Sequence, residues 1–255
     1  MLKYRVICKK INRRSVFKKM NMISIGVLLD CISVLIGILI GCIMRKRISD
    51  CLKQSMNIIF GIAAMAIGMY SINRLVYLPA LVLSLVFGGL IGECLHIERK
   101  LKGSIYSVLQ KMNFRIQEDK EAYLHFYVLV TVTFCASGTN IFGAINEGIS
   151  GDYSILLSKA VMDIFAAAIF AATLGKAMSL IVLPQFIILN LCFLFAKTCI
   201  PFINQTMLAD FVAMGGLLTF VLGLSIAKIK DISVANLLPS LVLIMPCSYL
   251  FSLFM

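Results

Sequence analysis

Five polar or charged side chains lie within long apolar stretches of the sequence, and their chemistry suits the binding of a small solute or ion. They are Asp30, Asn140, Lys159, Asp163 and Gln185. An ionisable group in hydrocarbon costs about 2.5–3.5 kcal/mol on insertion scales, so such groups usually face a helix bundle or a water-filled path. We therefore predict that these five side chains line one site near the middle of a membrane.

The most informative of these stretches carries a lysine and an acid one helical turn apart. Lys159, Asp163, Ala167, Ala171 and Gly175 recur at every fourth position and so share one helix face. Lys159 and Asp163 can form an ion pair, and the small residues beyond them permit close helix approach. Two interpretations stand equally open: a self-neutralised pair in a packing seam, or a relay for a proton, ion or solute.

Two further stretches bear on the same site. Small polar side chains are dense around residues 131–140, where they could line a pathway or form hydrogen bonds between helices. Asp30 has no charged neighbour within one turn, so we expect it to be protonated or matched by a polar group across helices. If the site transports a solute, Asp163 is the coupling or solute-binding acid and Lys159 tunes its charge.

The elements that must position these residues are membrane-spanning helices. Hydrophobic residues make up 60% of the 255 residues and charged residues 14%, against roughly 45–50% and 25% in soluble domains. The apolar stretches are continuous and about 20 residues long, as spanning helices require. The sequence predicts an all-α polytopic membrane protein with about eight spans, at 22–43, 55–73, 77–96, 124–145, 155–175, 178–200, 208–227 and 234–254. The break near Lys176 is short, so a re-entrant arrangement stays open there.

Several classes of function find no support in the sequence. The nine cysteines are scattered without a CxxC pair, and His96 and His125 lie apart, so we expect no disulfide framework, metal site or cofactor. No Gly-rich phosphate loop, GxSxG or HExxH motif is present, and we predict that the chain is not an enzyme. The net charge of +12 lies at the ends of apolar stretches, which favours membrane topology over nucleic-acid binding.

Basic residues predict the orientation of the spans. One set of loops contains Arg45, Lys46, Arg47, Lys53, Arg99, Lys100, Lys102, Lys111, Arg115, Lys120, Lys176, Lys228 and Lys230, whereas the opposite loops contain only Arg74. The basic loops are therefore expected in the cytoplasm and the C-terminus outside. Residues 1–21 carry eight basic residues on the predicted outer side, which contradicts this rule. Either this tail is translocated at a cost or translation begins at Met20 or Met22, and we favour the second explanation.

The domain organisation follows from these patterns: a basic tail at 1–21 and a single integral membrane domain at 22–255. Within the domain, the cytoplasmic loop 97–123 has Ile97, Leu101, Ile105, Leu109 and Met112 at helical spacing. This pattern predicts an amphipathic helix lying at the membrane surface. The helix is either a passive connector or a surface for regulation or partner binding.

An internal repeat is visible when the chain is shifted against itself by 155 residues. Gly61 then meets Gly216, Gly68 meets Gly223, and Asp30 meets Gln185. After a five-residue offset, LPALVL at 78–83 aligns with LPSLVL at 238–243. Spans one to three would then correspond to spans six to eight, with spans four and five as an unmatched central hairpin. Because the shift covers five spans, the copies have opposite orientations, as in the inverted repeats of secondary transporters. Chance similarity among Leu-rich helices is the alternative.

Four segments give the chain a family resemblance. They are LVFGGLIGECLHIE at 85–98, FGAINEGISGDYSILLSKAVMDIFAAAIFAATLG at 142–175, MGGLLTFVLGL at 214–224 and VANLLPSLV at 234–242. The sequence resembles the DUF554 family of bacterial multi-pass membrane proteins from about residue 22 to the C-terminus. The resemblance implies a bacterial cytoplasmic (inner) membrane location and no assigned activity. Lys159 and Asp163 match the family pattern, whereas Asp30 stands where the pattern leads us to expect Asn.

The leading functional hypothesis is a transporter or channel-like protein for a small solute or ion. It rests on the repeat, the intramembrane charges and the lack of a recognisable soluble domain. The alternative is a non-transporting scaffold or sensor component that acts through loop 97–123. The expected partners are the lipid bilayer and a small solute or ion, not nucleic acid, and a homo-oligomer is compatible with the sequence.

Overall fold

A computed structural model describes residues 23–45, 49–112, 120–199 and 204–254. Within them the chain forms ten α-helices, two 3-10 helices and no β-strand. The α-helices are α1 (Ile25–Met44), α2 (Asp50–Ile72), α3 (Leu78–Cys94), α4 (Ile97–Lys111), α5 (Lys120–Cys135), α6 (Gly138–Ser150), α7 (Ser154–Leu174), α8 (Val182–Cys199), α9 (Gln205–Ile226) and α10 (Pro239–Phe254); the 3-10 helices are Gly175–Ile181 and Val234–Leu237. The predicted all-α class is confirmed, and the predicted tail at 1–21 lies outside the described residues.

The helices are long and apolar enough to make the chain a multi-pass membrane protein. In the described ranges, six stretches could each cross a bilayer, and α3 with α4, bent by 51°, would make a seventh. One of the six, Ser154–Lys197, is 44 residues long, about twice the length that one crossing needs. It contains α7 and all but the last two residues of α8.

This long stretch folds back on itself at Gly175–Ile181. Gly175 has φ +70°, which ends α7 in a conformation that favours glycine. Asp163 of α7 and Gln185 of α8 both contact the carboxyl group of Asp30, although 22 residues of straight helix would separate them by about 33 Å. The hydroxyls of Tyr123 and Tyr127 donate to the carbonyls of Leu174 and Ala177 at 3.1 and 2.9 Å and hold the turn.

The predicted span at 124–145 is two helices with a break at Ala136–Ser137. Ser137 has extended backbone angles at the start of α6. The side-chain amide of Asn140 donates to the carbonyl of Phe134 at 2.9 Å, which satisfies a backbone acceptor that the break leaves free. The break therefore exposes backbone and small polar side chains in the interior of the bundle.

Close approach of α1 and α7 brings the predicted site residues together. Gly37 and Gly41 of α1 face the backbone carbonyls of Ile164 and Ala168 so closely that a Cβ at either position would clash. Ala167 and Ala171, from the small-residue face of α7, are fully buried in this contact. The contact fixes Asp30 of α1 beside the polar residues of α7.

The amphipathic helix α4 begins and ends close to the predicted positions, but its apolar stripe packs on the protein itself. Leu109 is 1% exposed and lies in the same core cluster as Tyr123 and Tyr127 of α5, with Leu101 and Ile105 packed against that cluster. The stripe is thus largely occupied by intramolecular contacts.

Candidate functional site

The first pair of the site joins α1 to α8. Asp30 and Gln185 are both fully buried, and the Gln185 Nε2 atom donates to Asp30 Oδ2 at 2.8 Å. This contact supplies the cross-helix polar partner that an isolated buried Asp requires.

The second pair lies within α7. Lys159 Nζ donates to Asp163 Oδ1, forming an ion pair one helical turn apart. The Asp163 side chain is 2% exposed and that of Lys159 12% exposed. The ammonium group also lies 6.0 Å from the ring centroid of Phe134, on the negatively polarised face that favours a cation. The predicted spacing thus yields an ion pair that is almost completely removed from solvent.

The two pairs form one continuous cluster because the carboxyl groups of Asp30 and Asp163 lie within hydrogen-bonding reach of each other. We call Gln185, Asp30, Asp163 and Lys159 the four-residue cluster. It crosses three helices, α8, α1 and α7, whose residues are far apart in sequence. Four of the five predicted site residues are therefore brought together.

The fifth predicted residue, Asn140, occupies a different place. It is fully buried, and its amide group bonds to Phe134 at the α5–α6 break. Among the described residues, Asn140 forms no direct hydrogen bond to the four-residue cluster. Phe134 provides the link, because its carbonyl binds Asn140 and its ring faces Lys159.

Each of four predicted site residues retains one buried oxygen that no group in the described residues satisfies. The atoms are Asp30 Oδ1, Asp163 Oδ2, Asn140 Oδ1 and Gln185 Oε1. Buried polar atoms are normally paired, so such exceptions need a physical account. All four are acceptors. They could bind a proton, a monovalent cation or the donor groups of a solute.

A cavity of about 120 Å³ opens beside the cluster, between α2, α5, α6, α7 and α9. Lys159 and Asp163 lie at its polar part, where Thr133, Ser137 and Thr139 add hydroxyl groups. The remaining wall is mostly apolar, with residues such as Phe60 and Leu222. The volume exceeds the roughly 10–15 Å³ that a single water molecule requires. The ion pair is therefore accessible to a small molecule or ion inside the protein.

Two buried carboxylates that sequence reasoning did not assign to a site act as structural anchors. Glu147 accepts hydrogen bonds from the Ser24 hydroxyl and from the backbone N–H groups of Ile25 and Gly26, at the start of α1. A carboxylate at a helix N-terminus binds free N–H groups and complements the helix dipole. Glu147 falls between two predicted spans, 124–145 and 155–175, and no local signal in the sequence identifies its partners.

Asp210 anchors α3 in the same way. Its Oδ1 accepts from the N–H groups of Val76 and Tyr77 at 2.7 and 3.1 Å, and its Oδ2 accepts from the Ser248 hydroxyl at 2.6 Å. Three donors satisfy this fully buried carboxylate. The only sequence signal is an acid near the start of a span, which does not identify the distant partners.

A further polar cluster ties α4 to the bundle. Burial raises the pKa of Glu98, but the hydrogen bond and charge of His125, together with Lys102, outweigh it and hold that pKa below its ordinary value. The Glu98 carboxyl lies 3.0 Å from His125 Nδ1 and 3.4 Å from Lys102 Nζ. The backbone N–H of Glu98 donates to Asn236 Oδ1 at 2.8 Å. These contacts fix the start of α4 beside the Val234–Leu237 turn.

The fold and the buried cluster together define the class: a polytopic α-helical membrane protein with charged groups inside its helix bundle. Among the described residues, no group of three or more His, Cys, Asp or Glu side chains is arranged to hold a metal ion. Residues 25–249 match the family described as "Protein of unknown function (DUF554)". The chain belongs to this family.

Two relatives extend over nearly the whole chain. It is 42% identical to the uncharacterised protein YqgA of Escherichia coli (strain K12), over 88% of this chain and 96% of that protein. It is 28% identical to the uncharacterised membrane protein YdfK of Bacillus subtilis (strain 168), over 86% of this chain and 93% of that protein. No solved structure matches the chain significantly.

Proposed function

We propose that this protein is a transporter or channel-like protein for a small solute or ion. The observation that carries the proposal is the four-residue cluster, buried inside the bundle and open to a cavity at Lys159 and Asp163. Charged groups in a membrane interior are costly and usually mark a solute or ion path. Asp163 is the coupling or solute-binding acid, Lys159 tunes its charge, and Asn140 lies at the helix break beside them.

The inverted repeat predicted from the sequence supports this function. Asp30 and Gln185 are equivalent under the shift of 155 residues, and their side chains are bonded to each other. In a two-fold arrangement, a residue on the axis meets its own equivalent, and every other contact occurs twice with the partners exchanged. The Asp30–Gln185 contact is the one that such an axis requires, and transporters built on this plan bind substrates near the midplane at the repeat interface.

The glycines supply the reciprocal contacts. Gly61 lies against the carbonyl of Gly223, and Gly68 lies against the carbonyl of Gly216. The shift turns Gly61 into Gly216 and Gly223 into Gly68, so each contact is the copy of the other. This pattern is difficult to explain by chance similarity among Leu-rich helices.

Helices α6 and α7 fit the same symmetry, although the shift of 155 residues does not align their sequences. Gly41 of α1 packs on Ala168 of α7, and Ala196, its equivalent in α8, packs on Gly148 of α6. The contact of α7 with α1 therefore corresponds to the contact of α6 with α8. With the α7–α8 hairpin counted as two crossings, these contacts support the proposal of eight spans arranged as two inverted halves.

We also propose the orientation that the basic loops predict, in the bacterial cytoplasmic membrane with the C-terminus outside. Lys53, Thr173 and Lys228 line one cavity of about 210 Å³. Lys53 belongs to the predicted basic loop 44–54, Thr173 lies at the end of α7 just before Lys176, and Lys228 follows α9. Three of the loops that carry basic residues therefore lie at the same end of the bundle, as the positive-inside rule requires. The scaffold alternative receives less support, because the apolar stripe of α4 is occupied by the protein's own core.

Solid-supported membrane electrophysiology on proteoliposomes tests the proposal. The probes are sodium, potassium and chloride gradients, followed by a panel of amino acids and carboxylic acids. We expect the wild-type protein to give a current with at least one probe, and Asp163→Asn and Lys159→Met to lose it. Asp231→Asn is the control, because Asp231 lies on an exposed loop.

Two results would count against this function. If Asp163→Asn and Lys159→Met carry the probe as fast as the wild type, the site assignment is wrong. If no probe moves through the wild-type protein, and deletion of the α4 stripe abolishes capture of a defined partner, the scaffold function replaces transport.

A further inference from the structure

We propose that Asp30 and Asp163 together bind one exchangeable proton, held between their carboxyl groups. Its role as the coupling ion rests on the transport function proposed above, whereas its binding does not. The proposal starts from how each carboxyl group is satisfied. Asp30 Oδ2 accepts from Gln185 and Asp163 Oδ1 accepts from Lys159. One oxygen of each acid, Asp30 Oδ1 and Asp163 Oδ2, has no donor among the described residues.

The shared proton satisfies both of these oxygens. Two ionised carboxylates at close range repel each other strongly in a low-dielectric interior, so one of the two retains a proton. The carboxyl groups of Asp30 and Asp163 lie within hydrogen-bonding reach. A protonated carboxyl on one residue then donates to the carboxylate of the other, which provides a donor and an acceptor where two acceptors alone would face each other.

The charge of the cluster leads to the same result. Lys159 contributes one positive charge, and two ionised acids would contribute two negative charges, which leaves a buried net charge. One proton makes the sum zero, and burial of an uncompensated charge is strongly unfavourable. The cluster therefore has a neutral state with one proton and a charged state without it.

The other groups near the pair do not replace this proton. Cys31 of α1 and Cys135 of α5 are the nearby thiols, and α8 contributes the neutral amide of Gln185. On the cavity wall, α2 contributes only apolar side chains, whereas Thr133, Ser137, Thr139 and Thr219 contribute hydroxyl groups, which carry no charge. Among the described residues around the pair, Lys159 is the positive charge, and it is already bonded to Asp163.

The cavity provides the route for exchange. Asp163 lines the cavity, whereas Asp30 lies behind it and does not. A hydronium ion in the cavity transfers its proton to the Asp163 carboxylate: an O–H bond forms at Asp163, one O–H bond of the hydronium breaks, and water is released. The reverse step returns the proton to water. No electron transfer or further reactant is involved.

Infrared spectroscopy of the reconstituted full-length protein tests the proposal directly. A protonated carboxylic acid has a C=O stretching band that is separate from the carboxylate and amide bands and shifts in D₂O. We expect the wild-type protein to show such a band for one buried acid, with an intensity that falls as the pH rises. Asp30→Asn and Asp163→Asn are each expected to lose the band, and the exposed control Asp231→Asn to keep it.

Each outcome decides the proposal. The wild-type spectrum alone is informative if a variant fails to fold, because absence of the band at every pH overturns the proposal. A band that survives both Asn substitutions also overturns it, as does a site that is filled by sodium with no protonated acid. Transport without the band leaves the proposed function standing and removes the proton site. The band without transport of any probe leaves the proton site standing and removes the proposed function.

Discussion

Gly37→Ala is expected to destabilise the protein, although the same substitution at Gly103 is expected to stabilise it. A Cβ at Gly37 would clash with the carbonyl of Ile164 and lie 2.7 Å from the Cβ of Ala167. A Cβ at Gly103, in the exposed part of α4, meets nothing within 4 Å. Both positions lie inside α-helices, so the substitution is chemically matched and only the tertiary surroundings differ.

The magnitude follows from two opposing effects. Replacing a helical Gly by Ala favours the helix by roughly 0.5–1 kcal/mol at either position. Overpacking against backbone atoms costs about 1–3 kcal/mol and applies only at Gly37. The helix effect cancels when the two variants are compared, so we expect Gly37→Ala to be less stable than Gly103→Ala by about 1–3 kcal/mol. At roughly 2–4 °C per kcal/mol for a chain of this size, the Tm difference is about 2–12 °C.

Thermal unfolding in detergent, followed with a thiol-reactive fluorophore, measures this difference. The sequence has no Trp, but Cys31 and Cys135 are buried and become reactive only when the bundle opens. Equal Tm values for the two variants, or a higher value for Gly37→Ala, would refute the close approach of α1 and α7. Because Ile164 follows Asp163, a shift of α1 should also weaken the infrared band assigned to the shared proton.

Three further changes test other contacts. Glu147→Ala removes the acceptor for three donors at the start of α1 and should lower the free energy of unfolding by at least about 2 kcal/mol. The control Glu121→Ala changes a side chain that is 79% exposed and should lower it by under about 1 kcal/mol. Equal losses of Tm in the two variants would contradict the role of Glu147 as an anchor. The double variant Asp30→Gln with Gln185→Asp exchanges the two residues and preserves a bonded pair on the proposed axis. It should therefore recover stability that either single variant loses. Additive losses of stability would argue against this pair. The pKa of Glu98 is lower in the folded protein than in the unfolded chain. Its ionised form therefore stabilises the fold fully at pH values above the ordinary pKa of 4.5. This stabilisation disappears as the pH falls toward the lowered pKa of the folded protein. The Tm advantage of the wild-type protein over Glu98→Gln should therefore shrink on acidification, and an advantage independent of pH would contradict the charge effect.

The helices and the Lys159–Asp163 pair could be predicted because they depend on local sequence. Apolar length determines where a helix can span, and a spacing of four residues places two side chains on the same face of a helix. The break between α5 and α6 also had a local signal in Ser137–Gly138–Thr139–Asn140, whose side chains suit a helix start. The sequence suggested a single span there because the apolar pattern continues through the break.

The contacts between distant segments were beyond local reasoning. The repeat aligned Asp30 with Gln185 but did not show that they touch, since equivalent residues can also lie far from a symmetry axis. Glu147 binds residues more than 120 positions away, and no spacing rule connects an acid of α6 with the free N–H groups of α1. The packing of the α4 stripe on α5 depends on how the chain returns after α4, so an amphipathic pattern alone predicted a membrane-surface helix.

The central claim is that the cavity at Asp163 belongs to a path across the membrane. Ser137 lines this cavity, so a single cysteine introduced there by Ser137→Cys, in a protein whose native cysteines are replaced by alanine, reports access. A membrane-impermeant thiol reagent is applied to right-side-out and to inside-out vesicles. The transport account predicts that the cysteine reacts from both sides of the membrane. Labelling from one side only, or from neither, would contradict it.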